Sequence, residues 1–108
     1  MNISKELLSK VLGYEVEIRG FKDKYIPANF EYIVDMIDVK TINIYELEHR
    51  CIEWAFNEGY ACLVGIDICY VMRLERFNID YFTQLSRDFS DAFKACQWIL
   101  DNKDKLNG

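Results

Sequence analysis

The stretch from Tyr60 to Leu74 constrains this chain more than any other. It is the most apolar part of the sequence, rich in β-branched and aromatic residues, and too interrupted to suit a helix. Two strands are expected, at about 60–66 and 68–76, turning near Gly65-Ile66-Asp67. One long strand is the alternative, because Tyr60, Cys62, Val64, Ile66, Ile68, Tyr70 and Met72 keep an unbroken alternation.

Amphipathic helices are available to cover such a sheet. At 3–12, Ile3, Leu7, Leu8, Val11 and Leu12 recur at helical spacing, with Asn2 or Ser4 as cap and Gly13 as a left-handed stop. The clearest helix is 43–58. Asn43 followed by Glu46 resembles a capping box, and Ile44, Leu47, Cys51, Ile52, Trp54 and Ala55 form the apolar stripe. Gly59 is its stop, and Glu46 with Arg50 supplies a favourable i,i+4 pair. A third helix is expected at about 89–103, with Asp88 as cap, Asp91 in the first turn, and a stripe of Ala92, Phe93, Cys96, Ile99 and Leu100. Beyond Asn102 the tail is polar.

Between these helices the period changes to two. Tyr14, Val16 and Ile18 alternate with Glu15, Glu17 and Arg19, which predicts a half-buried strand. Gly20–Asn29, with the single proline Pro27, reads as a long connection to a second strand over Phe30–Met36. A further short strand at Tyr81–Leu85 fits the pattern. The expected architecture is therefore α+β in the order α-β-β-α-β-β-α: a mainly antiparallel sheet of about four strands with helices packed on it. No internal repeat and no Ser-, Gly- or Pro-rich linker divides the chain, so residues 1–108 are expected to form one domain.

The 7 phenylalanines, 7 tyrosines and 2 tryptophans among 108 residues supply enough apolar surface for a core without metal or disulfide. Eighteen acidic residues against 13 basic ones give a net charge of −5. Lys and Arg are scattered, which disfavours direct binding of nucleic acid through its phosphates. Acidity of this kind serves solubility first. Its sharper use is a face complementary to something basic, such as the nucleic-acid channel of another protein. No stretch approaches the length of a membrane span, and the N-terminus lacks the build of a signal peptide, so a cytoplasmic location is expected. There Cys51, Cys62, Cys69 and Cys96 are free thiols.

Catalytic candidates are few. His49, the only histidine, points roughly 200° away from Cys51 on the same helix, so the two do not form a nucleophile pair. No C-x-x-C occurs, and no metal is expected. The glycines never fall in a phosphate-binding arrangement, and no cofactor is expected. Asp67 lies inside the most apolar stretch, where a carboxylate needs a partner, unless it is simply a turn residue. An enzyme site would have to be assembled from scattered residues, for instance Asp67, Cys69 and His49. The aromatics Tyr25, Phe30, Tyr32, Tyr81 and Phe82, with Tyr45, fall in or near loops and strand ends. Exposed aromatics among acidic residues favour a protein-binding surface, and core packing is the alternative for each.

Three segments carry a resemblance: NISKELLSKVLG at 2–13, INIYELEHRCIEWAFNEGY at 42–60 and AFKACQWILDNK at 92–103. They resemble small uncharacterised phage and prophage proteins of the phage ABA-sandwich domain family. The resemblance implies a phage-associated, layered α/β protein in a bacterial host, and it transfers no catalytic or binding residue. Small acidic proteins of mobile elements without catalytic motifs include host-defence inhibitors such as anti-CRISPR proteins. The leading expectation is thus a protein that binds another protein, for instance a host defence nuclease complex. A self-associating structural or regulatory protein, a homodimer pairing through 60–74, comes second. A small enzyme comes third.

Overall fold

Ser4 starts the first helix: its side-chain oxygen accepts the Leu7 amide at 3.1 Å. Helix α1 runs Lys5–Leu12, buries Leu7, Leu8 and Leu12, and stops at Gly13. There φ is 85°, a left-handed value that glycine adopts without strain. Ser4 also donates to Oε1 of Gln97 in the last helix, so one hydroxyl serves two elements. Replacing Ser4 by alanine is expected to cost about 1 kcal/mol, seen in calorimetry as a Tm lower by about 4–8 °C.

The computed structural model describes residues 3–23, 28–75 and 78–106, and of 73–75, 78–88 and 104–106 the backbone alone. After α1, strands β1 (Val16–Phe21), β2 (Asn29–Val34) and β3 (Asp38–Asn43) form an antiparallel sheet in the order β1-β2-β3. Helix α2 (Ile44–Asn57) leads to β4 (Tyr60–Gly65), β5 (Ile68–Glu75) and β6 (Asn78–Phe89), a second antiparallel sheet in the order β4-β5-β6. Helix α3 (Ala92–Leu106) closes the chain. The class is α+β and the pairing antiparallel. The order contains β3 in addition to the expected elements, the further short strand at 81–85 falls within the longer β6, and the strands divide into two sheets of three.

β3 escapes a sequence reading because its turn is unmarked. Asp35 and Met36 take φ of 53° and 68°, and the Ile37 amide donates to the Val34 carbonyl at 3.3 Å. Left-handed turns of this kind are normally flagged by Asn-Gly or Asp-Gly, whereas Asp-Met carries no such flag. β3 is also exposed at every position but Ile42, so it shows no apolar alternation. Tyr14 precedes β1 and is exposed, and within β1 Val16 is buried but Ile18 is exposed, against the expected half-buried pattern. A bulge between Ile18 and Gly20 shifts the register, so that Phe21 rather than Gly20 comes opposite Phe30. Their rings meet edge to face at 5.5 Å. The connection is accordingly shorter than Gly20–Asn29, and its residues 24–27 lie outside the described ones.

β4 and β5 are the expected hairpin, not one long strand. They turn at Ile66-Asp67, with Asp67 at φ 56°. A Cβ at Gly65 would meet Ile68 Cγ2 at 3.1 Å, so the close approach of the strand ends favours glycine there. β6 extends through the expected start of the last helix. Asp88 is part of that strand, and the helix is capped instead by Asp91, whose carboxylate accepts the Lys94 amide at 2.9 Å.

α1 packs on β1, α2 on β3 and β4, and α3 on β4, β5 and β6, and the three helices touch one another. Leu7, Leu8, Val16, Leu47, Tyr60, Val71, Phe93 and Ile99 form one cluster with Phe30, Tyr32 and Ile42. No described helix is long and apolar enough to cross a membrane.

Candidate interaction surface

On β2, Phe30 and Tyr32 turn into the core, so the alternation of the strand turns Glu31 and Ile33 outward. The register then places Glu17, Ile33 and Val39 in one row across the outer face of the first sheet. Past this row the β2–β3 hairpin raises Met36 and Ile37, which are 88% and 83% exposed. Glu15, Val16, Glu17, Ile33, Asp35 and Met36 line an open groove of about 590 Å³. Its lining combines apolar side chains with three carboxylates. Of these carboxylates Glu17 is paired with Lys5, both groups being solvated, where such a pair contributes little. Arg19 lies 3.8 Å from Glu31 further along the same face. Chemically, the arrangement can seat an apolar side chain beside a cation of a partner. Among the described residues, no group of three or more His, Cys, Asp or Glu side chains is arranged to hold a metal ion.

The residues proposed from sequence are spread differently. Phe30 and Tyr32 are core residues, 4% and 6% exposed, and present no face to a partner. Burial, then a hydroxyl contact with Tyr14 at 3.3 Å, pushes the Tyr32 phenol up to about 12. Both occupy the inward positions of β2 and join the core cluster. Tyr25 lies outside the described residues, as do the side chains of Tyr81 and Phe82. Tyr45 is exposed on the first turn of α2. Met36, Ile37 and Ile33 were not singled out from sequence. Their only signal is an apolar pair, Met36-Ile37, enclosed between Asp35 and Asp38 without helical or strand phase.

Asp67, Cys69 and His49 do not meet in one concave site. Cys69 is fully buried on the inner face of β5, whereas His49 and Asp67 are exposed on α2 and at the β4–β5 turn. The thiols nevertheless converge. Cys51 and Cys96 face each other from α2 and α3, with the Cys96 thiol donating to the Cys51 carbonyl at 3.3 Å. Cys62 lies within hydrogen-bonding reach of both Cys69 and Cys96. For Cys62, the bond with Cys69 lowers its pKa, but the bond with Cys96 and burial outweigh it and push the thiol up to about 12. Cys69 is raised by its bond with Cys62 and by burial. Cys96 is raised by its contact with Cys51 and by burial, which together exceed the lowering effect of Cys62. Thiols held protonated in this way pack as small apolar groups and are poor nucleophiles.

No family model, curated protein or solved structure matches the chain.

Proposed function

We propose that this protein works by binding another protein, as a small acidic accessory protein of phage or prophage type. The observation that carries the reading is the hairpin tip, where Met36 and Ile37 project into solvent beside the carboxylates of Glu15, Glu17 and Asp35. Large apolar side chains held out from a folded surface cost free energy in water, and a partner that covers them recovers it. The carboxylates select a partner with a basic face and speed the encounter at low salt. A channel that normally holds nucleic acid has that character, which favours a host defence nuclease complex as the target. The phage context rests on the resemblance read in the three segments at 2–13, 42–60 and 92–103, and the net charge of −5 agrees with a protein that occupies such a channel without binding nucleic acid itself.

Affinity purification from a bacterial lysate tests this reading. A defined complex should be recovered at low salt, weakened by added salt, and displaced by nucleic acid. The double variant Met36→Ala, Ile37→Asp should weaken it by at least tenfold, the effect expected for central anchor residues worth about 2 kcal/mol. Glu15→Lys with Asp35→Lys should act mainly on the association rate. Recovery of the protein alone, with host defence unaffected by its expression, would refute the proposal.

A further inference from the structure

β4 is a free edge of the second sheet. It pairs with β5 on one side and lies against α2 and α3, and among the described residues no strand flanks its other side. Alternate residues of an edge strand direct their N–H and C=O groups away from the sheet, which leaves a row of donors and acceptors open to pairing. Of the four edge strands among the described residues, three carry features that discourage this. β1 has Glu17, Arg19 and the bulge between Ile18 and Gly20. β3 has Asp38 and Lys40. β6 includes Asp80, Arg87 and Asp88 in its sequence, and its register against β5 shifts twice. β4 has none of these. Its sequence Tyr-Ala-Cys-Leu-Val-Gly holds no charge and no proline, and it pairs with β5 in unbroken register. The far half of the strand is open to solvent, with Leu63 51% and Val64 44% exposed.

We propose that β4 pairs with β4 of a second copy, antiparallel about a two-fold axis, and so joins two three-stranded sheets into one of six. An antiparallel strand is self-complementary under this symmetry: every donor offered by one copy meets the equivalent acceptor of the other. Charge points to the same occupant. Two copies of a chain with net charge −5 repel over most of their surface, but residues 59–66 contain no charged side chain. Of the two acidic residues that bound this window, Glu58 is paired with Lys103 at 3.5 Å, and Asp67 sits exposed in the β4–β5 turn, at the end of the strand rather than along it. Packing adds to the pairing. Leu63 stands opposite the exposed Tyr70 on the outer face, and joining the two sheets brings a second Leu63 and Tyr70 alongside. The acidic hairpin of the first sheet stays available on each copy.

Sedimentation equilibrium of the full chain reads this directly. The mass is expected to be twice 12.8 kDa at high concentration and to fall toward 12.8 kDa on dilution. Leu63→Lys and Val64→Lys each place like charges on both sides of the seam and should weaken association by about tenfold or more, with circular dichroism unchanged. Val39→Lys, on the already charged edge β3, should leave association as it is. Hydrogen exchange of the unmodified chain needs no variant: amides at 62–64 should exchange more slowly at high concentration than at low. A mass of 12.8 kDa at every concentration overturns the proposal. So does a dimer that survives both lysine substitutions with exchange at 62–64 independent of concentration. A strand of a foreign protein as the true occupant of β4 would give the first of these results.

Discussion

Replacing Phe93 by alanine is expected to lower the free energy of unfolding by about 3–5 kcal/mol. The side chain is 2% exposed and lies on α3, the helix that covers all three strands of the second sheet and touches both other helices. Removing the ring deletes its transfer free energy and leaves a cavity. Its neighbours sit on strands and helices that are fixed by their own hydrogen bonds, so they cannot collapse to fill it. For a chain of this size the loss is a large share of total stability. Urea unfolding should show the midpoint fall with little change in slope. Phe56→Ala is the matched control, because Phe56 is more than half exposed at the end of α2 and should change stability by less than about 1 kcal/mol. A loss below that for Phe93 as well would mean that α3 does not close the core.

The second large effect concerns the thiols. A thiol reagent such as DTNB should modify none of Cys51, Cys62, Cys69 and Cys96 in the native protein and all four once the chain is unfolded, since every one is buried. Modification then waits on unfolding, and its rate should be slowed by on the order of 10³-fold or more relative to the denatured chain. The same packing makes stability depend on pH in a defined direction. Cys62, Cys69 and Cys96 are all raised from the ordinary thiol value of 9.0, so the folded state holds protons that the unfolded chain gives up. Their contribution is complete below about pH 9 and is lost as pH rises toward the folded values, about 12 for Cys62. In that window stability should drop by up to about 1.4 kcal/mol per pH unit for each thiol. Stability that holds level from pH 8 to 11, or a native thiol that reacts at once, would contradict the buried cluster.

Much of the fold is legible in the residues. The glycines after Leu12 and Glu58, the caps at Ser4 and Asn43 and the stripe Leu47-Cys51-Ala55 place two helices correctly, because each is set by contacts within a few residues. The turn at Ile66-Asp67 is legible for the same reason. What the residues conceal is non-local or unmarked. Asp35 and Met36 reverse the chain without a glycine, so β3 goes unseen. Asp88 has the chemistry of a helix cap, but pairing of Tyr70 with Asp88 claims it for a strand. Phe30 and Tyr32 open the expected second strand, next to the long connection, and only the packing of β2 shows that they are interior. The candidate surface was hidden with β3: without that strand, Met36 and Ile37 have no hairpin to raise them. The meeting of the four thiols likewise depends on how α2, α3 and the second sheet pack, which no spacing along the chain encodes.

The two sheets have a consequence for how the molecule comes into being. Each strand pairs with the one next to it along the chain, through a short reversal wherever the connection is described, so both meanders can zip up from nearby segments, the kind of wiring that folds quickly. The first can close while the rest is still being synthesised. The contacts that span the sequence are held mainly by the last helix, through Gln97 to Ser4 and Cys96 to Cys51. Arrival of that helix is the step that covers the second meander, whose inner face is until then open to whatever else is in the cell.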